Sequence, residues 1–187
     1  DLIQQESLSN KQKQYLKVVE KKSNELTELT KQLFEFSKLM DSDIELKKEN
    51  CCINEILEET LVSYYNIFKE KNIVPKVSIC NKKIYKLVNR ISIIRIFENI
   101  LSNVSKYSTG DFKVTMNENG TISFSNKANS LDATTVQKIF ERYFSVENAK
   151  ESTGIGLSIA KQLVELNNGK IRAKYIKDTL FIEIYFK

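Results

Sequence analysis

RIFENILSNVSKYS, residues 95–108, writes two faces onto one helix. Arg95, Asn99, Asn103 and Lys106 recur at helical spacing and form a polar stripe, while Ile93, Phe97, Ile100, Leu101 and Val104 form the side to be buried. Asparagine is a poor helix former, so two of them one turn apart argue against a merely solvated face. An Asn carbonyl oxygen can bind a hard cation such as Mg²⁺, which prefers oxygen ligands and keeps several waters. Lys106 can meet a phosphate, and Tyr107 offers a ring for a base.

Toward the C-terminus, FKVTM, NENG and TISFS (112–125) predict a hairpin, with Asn119-Gly120 supplying positive φ angles. Asp132 is placed as the N-cap of a helix through Val136, Ile139 and Phe140. ESTGIGLSIAKQLVE (151–165) then sets Gly154 and Gly156 before a helix, in a chain with only 5 glycines and 1 proline. Glycines there let backbone approach a ligand, and the free N–H groups of a helix start attract an anion. Two alternating strands close the chain, KIRAKYI and TLFIEIYF, joined at Lys177-Asp178, with Leu180, Ile182, Ile184 and Phe186 on one face.

Toward the N-terminus, Pro75 lies in the strand-like run IVPKVSI and favours an edge or strand-start position. A helical stripe precedes it at Ile53, Ile56, Leu57, Leu61 or Val62, Tyr64 and Phe68, and a short extended stretch is expected at Ile44 to Lys47. Residues 11–40 read as one long helix. Tyr15, Val19, Leu26, Leu29, Leu33, Phe36 and Met40, with Lys22 in the missing slot, alternate steps of four and three. That is the seam of a coiled-coil-like helix, which needs a partner helix from this chain or a second copy. Residues 1–10 read as the end of another helix and a turn, so the chain is expected to be cut from something longer.

Composition narrows the classes. The net charge of +5 is well mixed, and no dense Lys/Arg block with interleaved aromatics supports nucleic-acid binding. No apolar run approaches the roughly 20 residues that span a bilayer. The 3 cysteines, Cys51, Cys52 and Cys80, have no metal-ligand spacing and suggest a reducing compartment. Histidine is absent, which excludes His-based chemistry by this chain's own side chains. Helices and antiparallel hairpins segregated in sequence point to an α+β fold, a two-layer sandwich.

In these stretches the chain resembles the sensor histidine kinases of two-component systems. ENILSNVSKYS (98–108) is similar to their N box, FERYF (140–144) to the F box, and STGIGLSIAKQLVE (152–165) to the G2 box, in the family's order and spacing. The resemblance covers residues 5–187. It implies part of a dimerisation and phosphotransfer domain over 1–46, its second helix. It implies an ATP-binding domain of the Bergerat type, shared with gyrase and MutL, over 47–187.

At matching positions it implies that Asn103 holds Mg²⁺ with Asn99 assisting. Lys106 would touch phosphate, Tyr107 would pack on the nucleotide, and Arg142 would face the phosphates. Residues 142–155 would be a lid, and Gly154, Gly156 and Leu157 would offer backbone donors to the phosphates. No residue of this chain is expected to be the phosphoacceptor, since the family's His lies on the preceding helix.

One box departs from the family. The G1 box has an adenine-reading Asp followed by glycines, whereas this chain has Asn126, then Ala128 and Ser130 in the glycine places. The Asn126 carbonyl oxygen can still accept from an amino group, without the charge. The resemblance thus implies an ATP- and Mg²⁺-dependent protein-histidine kinase fragment on the cytoplasmic side. It would act as a homodimer through the helical segment, with a response regulator as partner and a membrane reached only through upstream segments. The other reading is a degenerate nucleotide-binding or dimerisation module.

Overall fold

The structure is a computed structural model that describes residues 9–39, 46–129, 131–132, 134–144 and 154–187. The chain divides into two compact units, residues 1–41 and 42–187. The first contains the helix α1, Asn10–Leu39. Ser9 opens it with a reciprocal cap. Its N–H donates to Gln12 Oε1 at 2.9 Å and its Oγ accepts from the Gln12 N–H at 3.3 Å. Of the seam, Tyr15, Val19 and Leu26 are exposed, as are Val18 and Phe34. Met40 and the side chains of Leu29, Leu33 and Phe36 lie outside the description.

The second unit runs β1 (Glu49–Cys52), α2 (Ile53–Ser63), α3 (Tyr65–Glu70), β2 (Lys76–Ile79), β3 (Tyr85–Val88) and α4 (Arg90–Tyr107). It continues with β4 (Gly110–Met116), β5 (Ile122–Lys127), a 3₁₀ turn (Thr135–Lys138), α5 (Gly156–Leu166), β6 (Gly169–Ile176) and β7 (Thr179–Phe186). A five-stranded sheet has the order β2-β4-β5-β7-β6, and β1 pairs with β3 in a separate two-stranded ribbon. All pairs are antiparallel except β2 with β4. This is the expected two-layer α+β sandwich. Phe97 of α4 meets Phe124 of β5 with ring centroids 5.9 Å apart, and Phe68 of α3 meets Phe112 of β4 at 5.4 Å. Alternation along β7 buries Leu180, Ile182, Ile184 and Phe186 together. Each such side chain contributes roughly 1.5–3 kcal/mol on burial.

Three buried asparagines organise the layers. Asn54 donates to the carbonyls of Cys80 and Lys82, both at 3.1 Å, and accepts from the Ile84 N–H at 2.8 Å, closing the loop between β2 and β3. Asn167, at the end of α5, donates to the Leu163 carbonyl at 2.8 Å and accepts from the Asn89 N–H at 2.7 Å. Asn89 in turn caps α4, its Oδ1 accepting from the Ser92 N–H at 2.9 Å. The third is Asn126, described below.

Several local expectations are corrected. Residues 46–48 are irregular and the first strand starts at Glu49, while residues 44 and 45 lie outside the description. The stripe after residue 53 breaks at Tyr64 between two helices, and Val62 is exposed because Leu61 takes the inward position. Strand β3 has no counterpart in the sequence reading. In the NENG turn only Gly120 has positive φ, and Asn119 instead accepts from the Thr121 N–H at 2.9 Å.

Asp132 caps a 3₁₀ turn in place of an α-helix. Its carboxylate accepts from the Thr134 hydroxyl at 2.7 Å and the Thr135 N–H at 2.6 Å. The Thr134 hydroxyl first, then Thr135, hold the carboxyl at about 2, below its ordinary 3.8. A depressed folded value stabilises the turn fully above pH 3.8 and loses that contribution as pH falls toward 2. Carboxyl ¹³C titration should follow this low midpoint, and a midpoint near the unperturbed value would refute the cap.

Candidate functional site

Helices α4 and α5 pack together. They run in opposite directions, since Asn89 at the start of α4 meets Asn167 at the end of α5, and Asn99 meets Gly156 at its start. The half-buried Asn99 donates from Nδ2 to the Arg95 carbonyl at 2.9 Å. A backbone carbonyl can only accept, so this bond fixes which end of the amide is nitrogen. A Cβ added at Gly156 would lie 3.1 Å from Asn99 Oδ1. The polar stripe of α4 and the glycine start of α5, 57 residues apart in sequence, therefore lie side by side at an amide oxygen, with little room for a side chain between them.

The first N–H groups of an α-helix have no partner within it. The N-cap, Ile155, makes no side-chain capping bond to them. The Leu157 side chain is buried, so only its backbone can face a ligand. Gly154 has φ +64°, and a Cβ there would fall 2.6 Å from the Tyr143 carbonyl carbon and 2.8 Å from the Phe144 oxygen. The backbone of Tyr143 and Phe144 thus lies directly against Gly154, two residues before α5. Arg142 and Tyr143 are exposed, and Tyr143 itself has φ 59°. Most of the expected lid, residues 145–153, lies outside the described residues.

Asn103 is half-buried one turn beyond Asn99, Tyr107 is half-buried at the last position of α4, and Lys106 is exposed beside it. Just past α4, the Thr109 N–H donates to the Lys127 carbonyl at 3.0 Å. That bond brings the end of α4 to the end of β5, where Asn126 is only 4% exposed and donates from Nδ2 to the same carbonyl at 2.9 Å. Ala128, in the place of the first G1 glycine, is buried.

The pieces that meet directly are Asn99 with Gly156, and Gly154 with the backbone of Tyr143 and Phe144, next in sequence to Arg142. Asn103, Lys106, Tyr107 and Asn126 are placed by their positions on α4 and β5. The tie from Asn89 to Asn167 was not anticipated, although Asn89 ahead of a helical run is an N-cap signal. Among the described residues no cluster of His, Cys, Asp or Glu could hold a metal. The oxygens on offer are those of asparagine amides, a donor set that suits a hard cation shared with phosphate oxygens.

Residues 88–184 match the family described as "Histidine kinase-, DNA gyrase B-, and HSP90-like ATPase". Sensor histidine kinase YcbM of Bacillus subtilis is 25% identical over 171 residues, covering 86% of this chain and 55% of its own length. Sensor protein kinase WalK of Staphylococcus saprophyticus is 26% identical over 175 residues, covering 88% of this chain and 28% of its own. The chain therefore spans about half of one relative and little over a quarter of the other. Among solved structures, histidine kinase AdeS of Acinetobacter baumannii has a TM-score of 0.75 at 15% identity, over 92% of this chain and 83% of that one. Full-length ShkA, solved with AMPPNP, has a TM-score of 0.76 at 19% identity, over 97% of this chain and 40% of that one. At these identities the two structures establish the shared fold.

Proposed function

Because the chain belongs to the family of histidine kinase-, DNA gyrase B-, and HSP90-like ATPases, as the ATP-binding domain of a sensor histidine kinase, we propose that it binds Mg·ATP and passes the γ-phosphoryl group to a histidine outside this chain. In that step a histidine nitrogen forms the new bond to γ-phosphorus, the bond from γ-phosphorus to the bridging oxygen breaks, and ADP leaves. Such transfers need mainly positioning and charge neutralisation. Bound Mg²⁺ would supply neutralisation of the phosphate charge.

Asn103, with Asn99 one turn away, would hold the metal by amide oxygen. Backbone N–H groups of Gly154, Gly156 and Leu157 would meet phosphate, and Lys106 and Arg142 would add positive charge. Tyr107 and Asn126 would take the base. The observation that carries this reading is the contact of the Asn99 oxygen with Gly156, which joins a hard-cation donor to an anion-attracting helix start.

Calorimetric titration with ATP tests it. Saturable binding that strengthens with Mg²⁺ is expected. No binding at saturating Mg²⁺ would leave the degenerate module, the reading that the altered G1 positions favour. Residues 1–46 would belong to a dimerisation and phosphotransfer segment, and 47–187 to the catalytic domain. The phosphoryl group would pass on to a response regulator on the cytoplasmic side. Among the described residues no helix is long and apolar enough to cross a membrane; on this reading a membrane would be reached through upstream segments. The exposed Tyr15, Val19 and Leu26 support a homodimer through α1. Sedimentation of the chain with the preceding helix supplied should give a dimer that Leu26→Ser weakens, and a monomer in both cases would remove the seam.

A further inference from the structure

Asn126 of β5, Leu180 of β7 and Tyr175 of β6 stand in one cross-strand row. It is the face on which α4 packs, since Phe124, two residues before Asn126, meets Phe97. The Tyr175 hydroxyl has the Ala128 carbonyl as its nearer acceptor at 3.1 Å and Asp178 Oδ1 as a farther one at 3.4 Å, and the Ala128 N–H donates to the Asp178 carbonyl at 2.9 Å. The β6–β7 hairpin therefore grips both sides of the residue that replaces a glycine. Its turn is tightly set, with Lys177 and Asp178 at φ 47° and 57°. Burial first, then the Asp178 carboxylate, raise the Tyr175 phenol above its ordinary 10.0, so it stays a donor at neutral pH.

Immediately before Ala128, the Lys127 carbonyl receives the Thr109 N–H and Asn126 Nδ2. The nitrogen end of the Asn126 amide is thereby tied down. Its oxygen accepts no hydrogen bond from any described residue, in a side chain that is 4% exposed. A buried acceptor without a donor is costly, and it fits a ligand that brings an N–H.

Resting on the nucleotide-binding reading, we propose that Tyr175 is a positioning residue which, through the Ala128 carbonyl, holds Asn126 with its amide oxygen as the free acceptor, so that the site selects an amino purine over an oxo purine. The exocyclic amino group of adenine donates to that oxygen. Guanine would bring its own carbonyl oxygen to the same place and leave both acceptors unpaired. A carboxylate needs no such orientation, because both of its oxygens accept. An asparagine here does, and the hairpin supplies it.

Calorimetry with ATP, GTP and inorganic triphosphate, all with Mg²⁺, on wild type, Tyr175→Phe, Asn126→Ala and the double variant, tests the proposal. Wild type should prefer ATP to GTP. Tyr175→Phe should shrink that preference roughly three- to tenfold, the scale of one neutral hydrogen bond, while triphosphate binding holds. In the Asn126→Ala background Tyr175→Phe should not change the preference further. As a ligand-free check, exchange of the Asn126 side-chain amide protons should quicken in Tyr175→Phe while those of Asn54 and Asn167 stay as they are. An unchanged ATP preference, an equal change in the Asn126→Ala background, or unchanged Asn126 exchange overturns the proposal. Wild type that binds ATP and GTP alike overturns this proposal alone, whereas wild type that binds no nucleotide overturns the functional reading and this with it.

Discussion

Asn103→Ala is expected to abolish Mg²⁺-dependent ATP binding in a chain that still folds. Asn103 is half-buried on α4, one turn beyond the Asn99 whose oxygen meets the start of α5. Alanine is the better helix former, so α4 itself should not suffer. What disappears is one amide oxygen on the stripe that would face the metal. Even the outer partners of metal ligands are worth roughly 10- to 100-fold in affinity, so loss of a direct ligand should reach or exceed the upper figure. Calorimetry at saturating Mg²⁺ reads the loss, and circular dichroism reads the fold. Asn103→Asp, which keeps an oxygen at the same place, should retain metal-dependent binding. ATP affinity unchanged in Asn103→Ala would remove this residue from the site.

The two glycines give the second large effect, and they should differ from one another. At Gly156 an added Cβ meets the Asn99 side chain, its oxygen at 3.1 Å, and that amide can shift by a few tenths of an ångström. Gly156→Ala should therefore weaken ATP through the phosphate end and leave adenosine nearly untouched. Asn126→Ala, acting on the base, should weaken ATP and adenosine alike. At Gly154 the added carbon meets backbone of Tyr143 and Phe144, which cannot step aside, and φ is +64°. The left-handed region alone costs a non-glycine residue roughly 1–2 kcal/mol. Gly154→Ala should push segment 142–144 away from α5 and lose more than about tenfold in ATP affinity, beyond the loss in Gly156→Ala. Equal losses for ATP and adenosine in Gly156→Ala would mean that these glycines only shape the turn.

What was legible in the sequence was periodic or local. The stripe of α4, the long α1, both C-terminal strands and the glycine pair each declare themselves within one continuous stretch of chain. What stayed hidden depended on distant partners. Strand β3 carries Tyr85 and Leu87 exposed on a two-stranded ribbon, so its alternation ends in no apolar face to recognise. The parallel pairing of β2 with β4 has no hairpin turn to announce it. The bond from Asn89 to Asn167 joins positions 78 residues apart. Asparagine also reads ambiguously. Asn54, Asn89, Asn99, Asn126 and Asn167 serve as loop staple, helix cap, cation-donor candidate, base-reader candidate and inter-helix tie, and only the three-dimensional partners separate these uses.

That inter-helix tie also makes α5 mechanically lopsided. One end is tied by a buried hydrogen bond, Asn167, 1% exposed, accepting from Asn89, while the other end is seated by the burial of Ile155, Leu157 and Ile159 and sets Gly156 beside an amide oxygen. Eleven residues from Gly156 to Leu166 form a lever about 16 Å long, on which a tilt of about 5° at the pin carries the far N–H groups through roughly 1.4 Å. That displacement exceeds the tolerance of a hydrogen bond. The stiffness of the buried amide at one end thus contributes to how sharply the opposite end is aimed, and the two ends of a short helix divide between them the work of bearing and of pointer.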